Sequence, residues 1–125
     1  MKLHLARAEG RNLFSGYGPG YVAINGTRYQ RSLIVLPDRL VEWEPARFED
    51  LTESMFSELA GLPLEILVLG TGAKLRFPAP LLTRPLHAAR IGLEVMDTQA
   101  ACRTYNILLS EDRRVGAALL IDAVP

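Results

Sequence analysis

The sequence predicts a single compact α/β domain, residues 1–125, built on a central mixed sheet, and three observations carry that prediction. From Pro63 to Leu120, short apolar runs alternate with amphipathic stretches in the order strand, helix, strand, helix, strand. Each of the first two strands ends in a small polar turn, Gly70-Thr71-Gly72 and Met96-Asp97-Thr98. Further upstream, Asn25-Gly26 separates two strand-like runs. That dipeptide is a strong hairpin signal, because both central residues of a type I′ turn need positive φ. Short connections imply right-handed crossovers and a parallel core. The expected architecture is a βαβαβ C-terminal half with helices packed on the sheet, plus an N-terminal antiparallel hairpin or extra β layer.

The elements follow in order. Residues 1–20 read as loop, with Gly16-Tyr17-Gly18-Pro19-Gly20 as a plain turn. Tyr21–Ile24 and Thr27–Leu36 are the hairpin strands, and Pro37-Asp38 ends the second. Leu40–Glu44, around Trp43, is a third short strand stopped by Pro45. Phe48–Ala60 reads as one helix with Leu51, Met55, Phe56 and Leu59 on a single face, Asp50 or Thr52 as its cap and Gly61 beyond its end. Leu64–Leu69 is almost wholly apolar, as in a strand covered on both faces. A helix over about Ala79–Arg90 turns Leu82, Leu86 and Ala89 inward, and Leu93–Met96 is the next strand. The last helix starts at a cap of Asp97 or Thr98 and runs to about Asp112. It buries Ala101, Tyr105, Leu108 and Leu109, with Arg103, Asn106, Ser110 and Arg114 on its other side, and Val115–Ile121 closes the sheet.

Composition removes several functional classes. Fourteen Lys and Arg balance fourteen Asp and Glu, and no basic stripe marks a nucleic-acid footprint. No apolar run approaches the roughly 18 residues of a membrane span, so an integral membrane protein is not expected. The segment Met1–Arg7 is too short and broken for a signal peptide. Cys102 is the only cysteine, which suits a cytosolic, cytoplasmic setting. No metal site is expected, because His4, His87 and Cys102 stand apart with no zinc-like spacing. No cofactor is expected either. Leu75 occupies the position where a dinucleotide fingerprint needs its third glycine, and no P-loop is present.

The candidate site is a crevice. In open α/β sheets, ligands bind beyond the carboxyl ends of the strands, where both small turns fall. Gly70, Thr71, Gly72, Asp97, Thr98 and Arg103 are therefore its candidate residues, and Lys74 and Arg76 could add positive charge. The free amides of a helix N-terminus favour an anion, although Asp97 as a cap would occupy some of them. The glycine turn also reads as a plain tight connection, and Asp97 and Arg103 also read as a simple structural pair. Thr98, Cys102 and Tyr105 share one helix face, which looks either into the crevice or into the core. No residue set suggests catalysis.

Several blocks in a fixed order carry a family resemblance. They are Tyr29–Asp38 with Trp43, Leu64–Gly72, Gly92–Thr98, Ala101–Leu108, Glu111 and Arg113–Leu119. The chain resembles, over about Tyr17 to Leu120, the small domain-of-unknown-function family that includes mitochondrial respiratory complex I assembly factor three and an adipogenesis-associated mammalian protein. The absence of a presequence makes it similar to a free-standing bacterial member. The resemblance implies a compact α/β domain with a central mixed sheet and an extra β layer. It supplies no catalytic residues, and the mitochondrial member implies a role through protein contacts.

Two functional expectations follow. The first is a non-catalytic protein-interaction or assembly module with an unidentified protein partner, in respiratory or other membrane-complex assembly; a homodimer is compatible with it. The second is a small-molecule or anion binder, or an enzyme, using the crevice.

Overall fold

A computed structural model of the chain describes residues 10–122. His4 and the N-terminal segment Met1–Arg7 lie outside the described residues. Strands β1 (Phe14–Gly18), β2 (Tyr21–Ile24) and β3 (Thr27–Tyr29) form an antiparallel sheet in that order. The Asn25-Gly26 turn has φ of 48° and 89°, the positive values that its two central positions require.

Two expectations are corrected here. The glycine-rich stretch is not a plain turn, because Phe14–Gly18 pairs with β2, with Tyr17 opposite Val22 and Gly18 opposite Tyr21. Only Pro19-Gly20 is left to turn. Nor is Thr27–Leu36 one strand. It divides into β3 and β4 (Leu33–Leu36), and between them Gln30-Arg31-Ser32 carries the chain from the small sheet to the main one.

The main sheet has five strands in the order β5-β4-β8-β6-β7, where β5 is Arg39–Glu42, β6 Ile66–Gly70, β7 Gly92–Met96 and β8 Val115–Leu119. β6 runs parallel to both β7 and β8, while β4 pairs antiparallel with β5 and β8, so the sheet is mixed as predicted. From β6 the chain steps outward to β7 through helix α2 (Pro80–Ala88), then back past β6 to β8 through helix α3 (Thr98–Ser110). Crossovers of one hand then place the two helices on opposite faces.

The expected helix over Phe48–Ala60 is a single 3₁₀ turn, Phe48–Asp50, followed by helix α1, Glu53–Leu59. Leu51 is extended between them (φ −67°, ψ 136°), and the cap is Thr52, whose Oγ1 accepts from Met55 N at 3.2 Å.

Both faces of the sheet are covered. On one face, Val68, Ala117 and Leu119 pack with Ala101, Tyr105 and Leu109 of α3 and with Phe14, Val22 and Ile24 of the small sheet. On the other, Leu67, Leu69, Ala118 and Leu120 pack with Phe56 and Leu59 of α1 and Leu86 of α2. Strand alternation distributes neighbouring residues between the two cores, which is why β6 and β8 lack polar residues. Burying each large side chain contributes roughly 1.5–3 kcal/mol.

Candidate functional site

The parallel register sets the carboxyl ends of three strands side by side, with Gly70 opposite Met96 of β7 and Leu119 of β8. The turns after β6 and β7 therefore meet, and they meet through their own hydrogen bonds. Thr71 N donates to Met96 O and Thr98 N donates to Gly72 O, both at 2.9 Å. Gly72 N donates to Thr98 Oγ1 at 2.8 Å, and that hydroxyl in turn donates to Leu120 O at 2.7 Å. One buried threonine thus ties three strand ends together. Thr71 Oγ1 donates to Lys74 O at 2.6 Å and accepts from Arg76 N at 3.1 Å, shaping the loop that follows.

The contact is close enough to require glycine. A Cβ on Gly70 would stand 2.9 Å from Thr98 Cα. Gly72 has φ of +96°, and a Cβ there would stand 2.7 Å from Asp122 Oδ2. That carboxylate accepts from Ala73 N at 2.8 Å. Asp97 caps α3, its Oδ1 accepting from Ala100 N at 2.9 Å. Between the turns, the Pro19-Gly20 turn and Asp122, a hollow of about 60 Å³ remains, room for about two waters.

Arg103 bonds none of the other five candidates. It donates to Tyr17 Oη at 2.8 Å, with its guanidinium 5.7 Å from that ring. This bond, before any electrostatic effect, raises its pKa. Asp97 and Arg103 make no ion pair within 4 Å: Asp97 caps α3 and Arg103 bonds Tyr17, and the Asp97 charge only adds to the raised pKa of Arg103.

The face shared by Thr98, Cys102 and Tyr105 looks into the core. Cys102 and Tyr105 are fully buried. Burial pushes the Cys102 thiol up to about 12, against the opposing pull of Arg103, so the helix N-terminus does not activate it as a nucleophile. Burial also raises the Tyr105 phenol, which donates to Asn12 O at 3.1 Å. Among the described residues, no three His, Cys, Asp or Glu side chains group as a metal site.

Two larger hollows flank the turns. One, about 220 Å³, is lined by the cations Arg47, Lys74 and Arg76, the carboxylates Glu49 and Asp122, and Phe48 and Thr71. There Arg76 bonds Glu49 Oε2 at 2.8 Å and stacks on Phe48 at 4.3 Å. The other is an open cleft of about 960 Å³ between Arg31, Trp43, Arg47 and Ile121. Sequence reasoning named neither Asp122 nor Arg47. Both become visible only when the strand ends are brought together.

The profile of a family described as a protein of unknown function (DUF498/DUF598) matches residues 14–120. The chain belongs to this family. Among its DUF498/DUF598 relatives, the Bos taurus protein named NADH dehydrogenase (ubiquinone) 1 alpha subcomplex assembly factor 3 is 38% identical over 103 residues, 81% of this chain and 55% of that protein. The chain therefore spans about half the length of that relative. An uncharacterized protein of Rhodobacter capsulatus is 39% identical over 105 residues, 84% of this chain and 81% of its own length. A crystal structure of a Bordetella parapertussis protein superposes with a TM-score of 0.86 at 42% identity, covering 90% of this chain and 98% of that one. The family resemblance and the fold class read from the sequence are both borne out.

Proposed function

We propose that this domain is a non-catalytic protein-interaction module that serves the assembly of a larger complex. The observation that carries this reading is the closure of the strand-end turns on one another. Thr98, Gly72 and Thr71 spend their hydrogen-bonding groups on neighbouring backbone, and the hollow between them is about 60 Å³, far below the roughly 300 Å³ at which ligand pockets begin. The assembly factor name of the bovine relative supports a respiratory or other membrane-bound complex as the client. A cytosolic setting fits the single, buried thiol.

The test is the size of the particle containing the full chain in a gentle extract of its own cells. This reading expects co-elution with other proteins in an assembly larger than a homodimer. Elution only as a monomer or homodimer would overturn it.

A second reading has one observation in its favour. Arg47, Lys74 and Arg76, set against Glu49 and Asp122, give the hollow of about 220 Å³ beside Thr71 a lining with more cations than carboxylates, which suits a small anion next to the Gly70, Thr71, Gly72, Asp97 and Thr98 turns. Inorganic phosphate would then raise the melting temperature in proportion to the logarithm of its concentration. An unchanged melting temperature in millimolar phosphate would set this reading aside.

A further inference from the structure

Among the described residues, five large hydrophobic side chains are exposed, and three of them lie in one short segment: Leu75 at 51%, Phe77 at 71% and Leu81 at 57%. From residue 73 to 81 every position is exposed except the half-buried Pro78. The surrounding charge is one-sided. Residues 66–93 contain Lys74, Arg76, Arg84 and Arg90 and no Asp or Glu, so the rest of this balanced chain holds fourteen acids against ten bases. Leu81, Arg84 and Ala88 recur at the i, i+3, i+7 spacing of one helix face on α2.

The shape narrows the class of partner. Leu75, Phe77 and Leu81 line none of the hollows described above. At half or more exposure each, they lie open on the surface. Seating a partner helix calls for a groove, whereas exposed apolar side chains with cationic flanks suit a soft, anionic boundary into which they can sink. Two acidic side chains bond this segment: Glu49, which Arg76 neutralises, and Asp122, whose Oδ2 accepts from Ala73 N. Among the described residues Lys74, Arg84 and Arg90 have no carboxylate partner. No helix of the described residues is long and apolar enough to cross a membrane, so the contact would be peripheral.

We propose that the segment Lys74–Arg84 docks this domain on an anionic lipid surface, with Leu75, Phe77 and Leu81 entering the headgroup layer and Lys74 and Arg84 pairing with lipid phosphates. The inference does not depend on the assembly reading, because lipid and protein alone suffice to test it.

The experiment is flotation of the purified full chain with vesicles of phosphatidylcholine alone or mixed equally with phosphatidylglycerol, at low and raised salt. Binding to the mixed vesicles only, weakened by salt, is expected. Phe77→Glu combined with Leu81→Glu should lower the bound fraction by about tenfold or more, through lost apolar insertion and added negative charge. Lys74→Ala should lower affinity by roughly fivefold, the share of one cation near the surface. All three substituted side chains are exposed, so the thermal melts of the variants should match the wild type. Four results would overturn the proposal. One is no binding to either vesicle. Another is binding that survives Phe77→Glu with Leu81→Glu. The third is capture by soluble polyglutamate but not by vesicles, which would assign the face to an acidic protein. A dimer dissolved by Phe77→Glu in the absence of vesicle binding would assign it to a second copy and overturn the proposal equally.

Discussion

Asn106 holds the backbone of Phe14 at both of its polar groups: Oδ1 accepts from Phe14 N at 3.0 Å and Nδ2 donates to Phe14 O at 2.8 Å. A side-chain amide on α3 thus stands where a neighbouring strand would stand, at the end of β1, and fastens the small sheet to the main body. The Phe14 ring adds an edge-to-face contact with Tyr105, with centroids 5.2 Å apart. Asn106→Ala leaves both backbone groups without their partners. It should cost about 2 kcal/mol, within the range for stranding partly buried polar groups, read from the urea midpoint at constant m-value. Asn106→Asp keeps an acceptor for Phe14 N but sets a carboxylate against Phe14 O, so it should destabilise by at least as much. A loss of under about 0.5 kcal/mol in both variants, the level of an ordinary surface substitution, would show that the bracket does not hold the sheet.

The same pair shows what the sequence did and did not make legible. Asn106 sits on the polar side of an amphipathic helix, and nothing local distinguishes it from Ser110 or Arg103. Its partner is 92 residues away. β1 was hidden for the same reason, since Gly16, Gly18 and Gly20 give turn signals while the strand exists through pairing with β2. By contrast, β6, β7, β8 and the two crossover helices were readable, because burial on both faces and helical periodicity are written locally. The join between Phe48 and Ala60 failed where two candidate caps, Asp50 and Thr52, lay in one apolar-periodic stretch. The chain uses both, closing a 3₁₀ turn with Asp50 and starting α1 with Thr52. At the candidate site, the meeting of the two turns followed from topology. Their closure did not, because it depends on one hydroxyl and on Asp122 arriving from the end of β8.

Thr98 should be the most sensitive polar residue of that closure. Thr98→Val preserves shape but removes an acceptor for Gly72 N and a donor to Leu120 O, both buried. A loss of about 2–3 kcal/mol is expected by chemical denaturation. Thr98→Ser keeps the hydroxyl and should lose much less. Equal losses in the two variants would mean that the methyl group, not the hydroxyl, matters.

Gly72→Ala combines two costs, a φ of +96° and a Cβ 2.7 Å from Asp122 Oδ2. The backbone strain alone is on the order of 1–3 kcal/mol. Adding Asp122→Ala should relieve the steric part but not the strain, so the double variant should be more stable than the sum of the single losses predicts. Strict additivity in a double-mutant cycle would contradict direct contact.

Cys102 gives an alkaline signature. Its thiol titrates near 9.0 when unperturbed and near 12 in the fold, because burial disfavours the thiolate. The folded state therefore binds the proton more tightly than the unfolded chain. Its contribution to stability is whole below about pH 9 and is lost as pH rises from there toward 12. Stability should fall across that window, and Cys102→Ala should flatten the slope. In the native protein at pH 8 the thiol should resist Ellman's reagent, and it should react promptly in denaturant. Rapid native labelling would contradict its burial.

The most direct measurement of the central claim is cross-linking and affinity purification of the tagged full chain from its own cells, followed by quantitative mass spectrometry and a parallel melting scan against phosphate. If the domain acts through protein contacts, one or a few proteins should co-purify at a fixed ratio, with cross-links mapping to its exposed faces, and phosphate should leave the melting temperature unchanged. A chain recovered without protein partners, and stabilised by phosphate in a manner abolished by Lys74→Ala, would contradict the assembly reading and return the strand-end turns to the role of a ligand site.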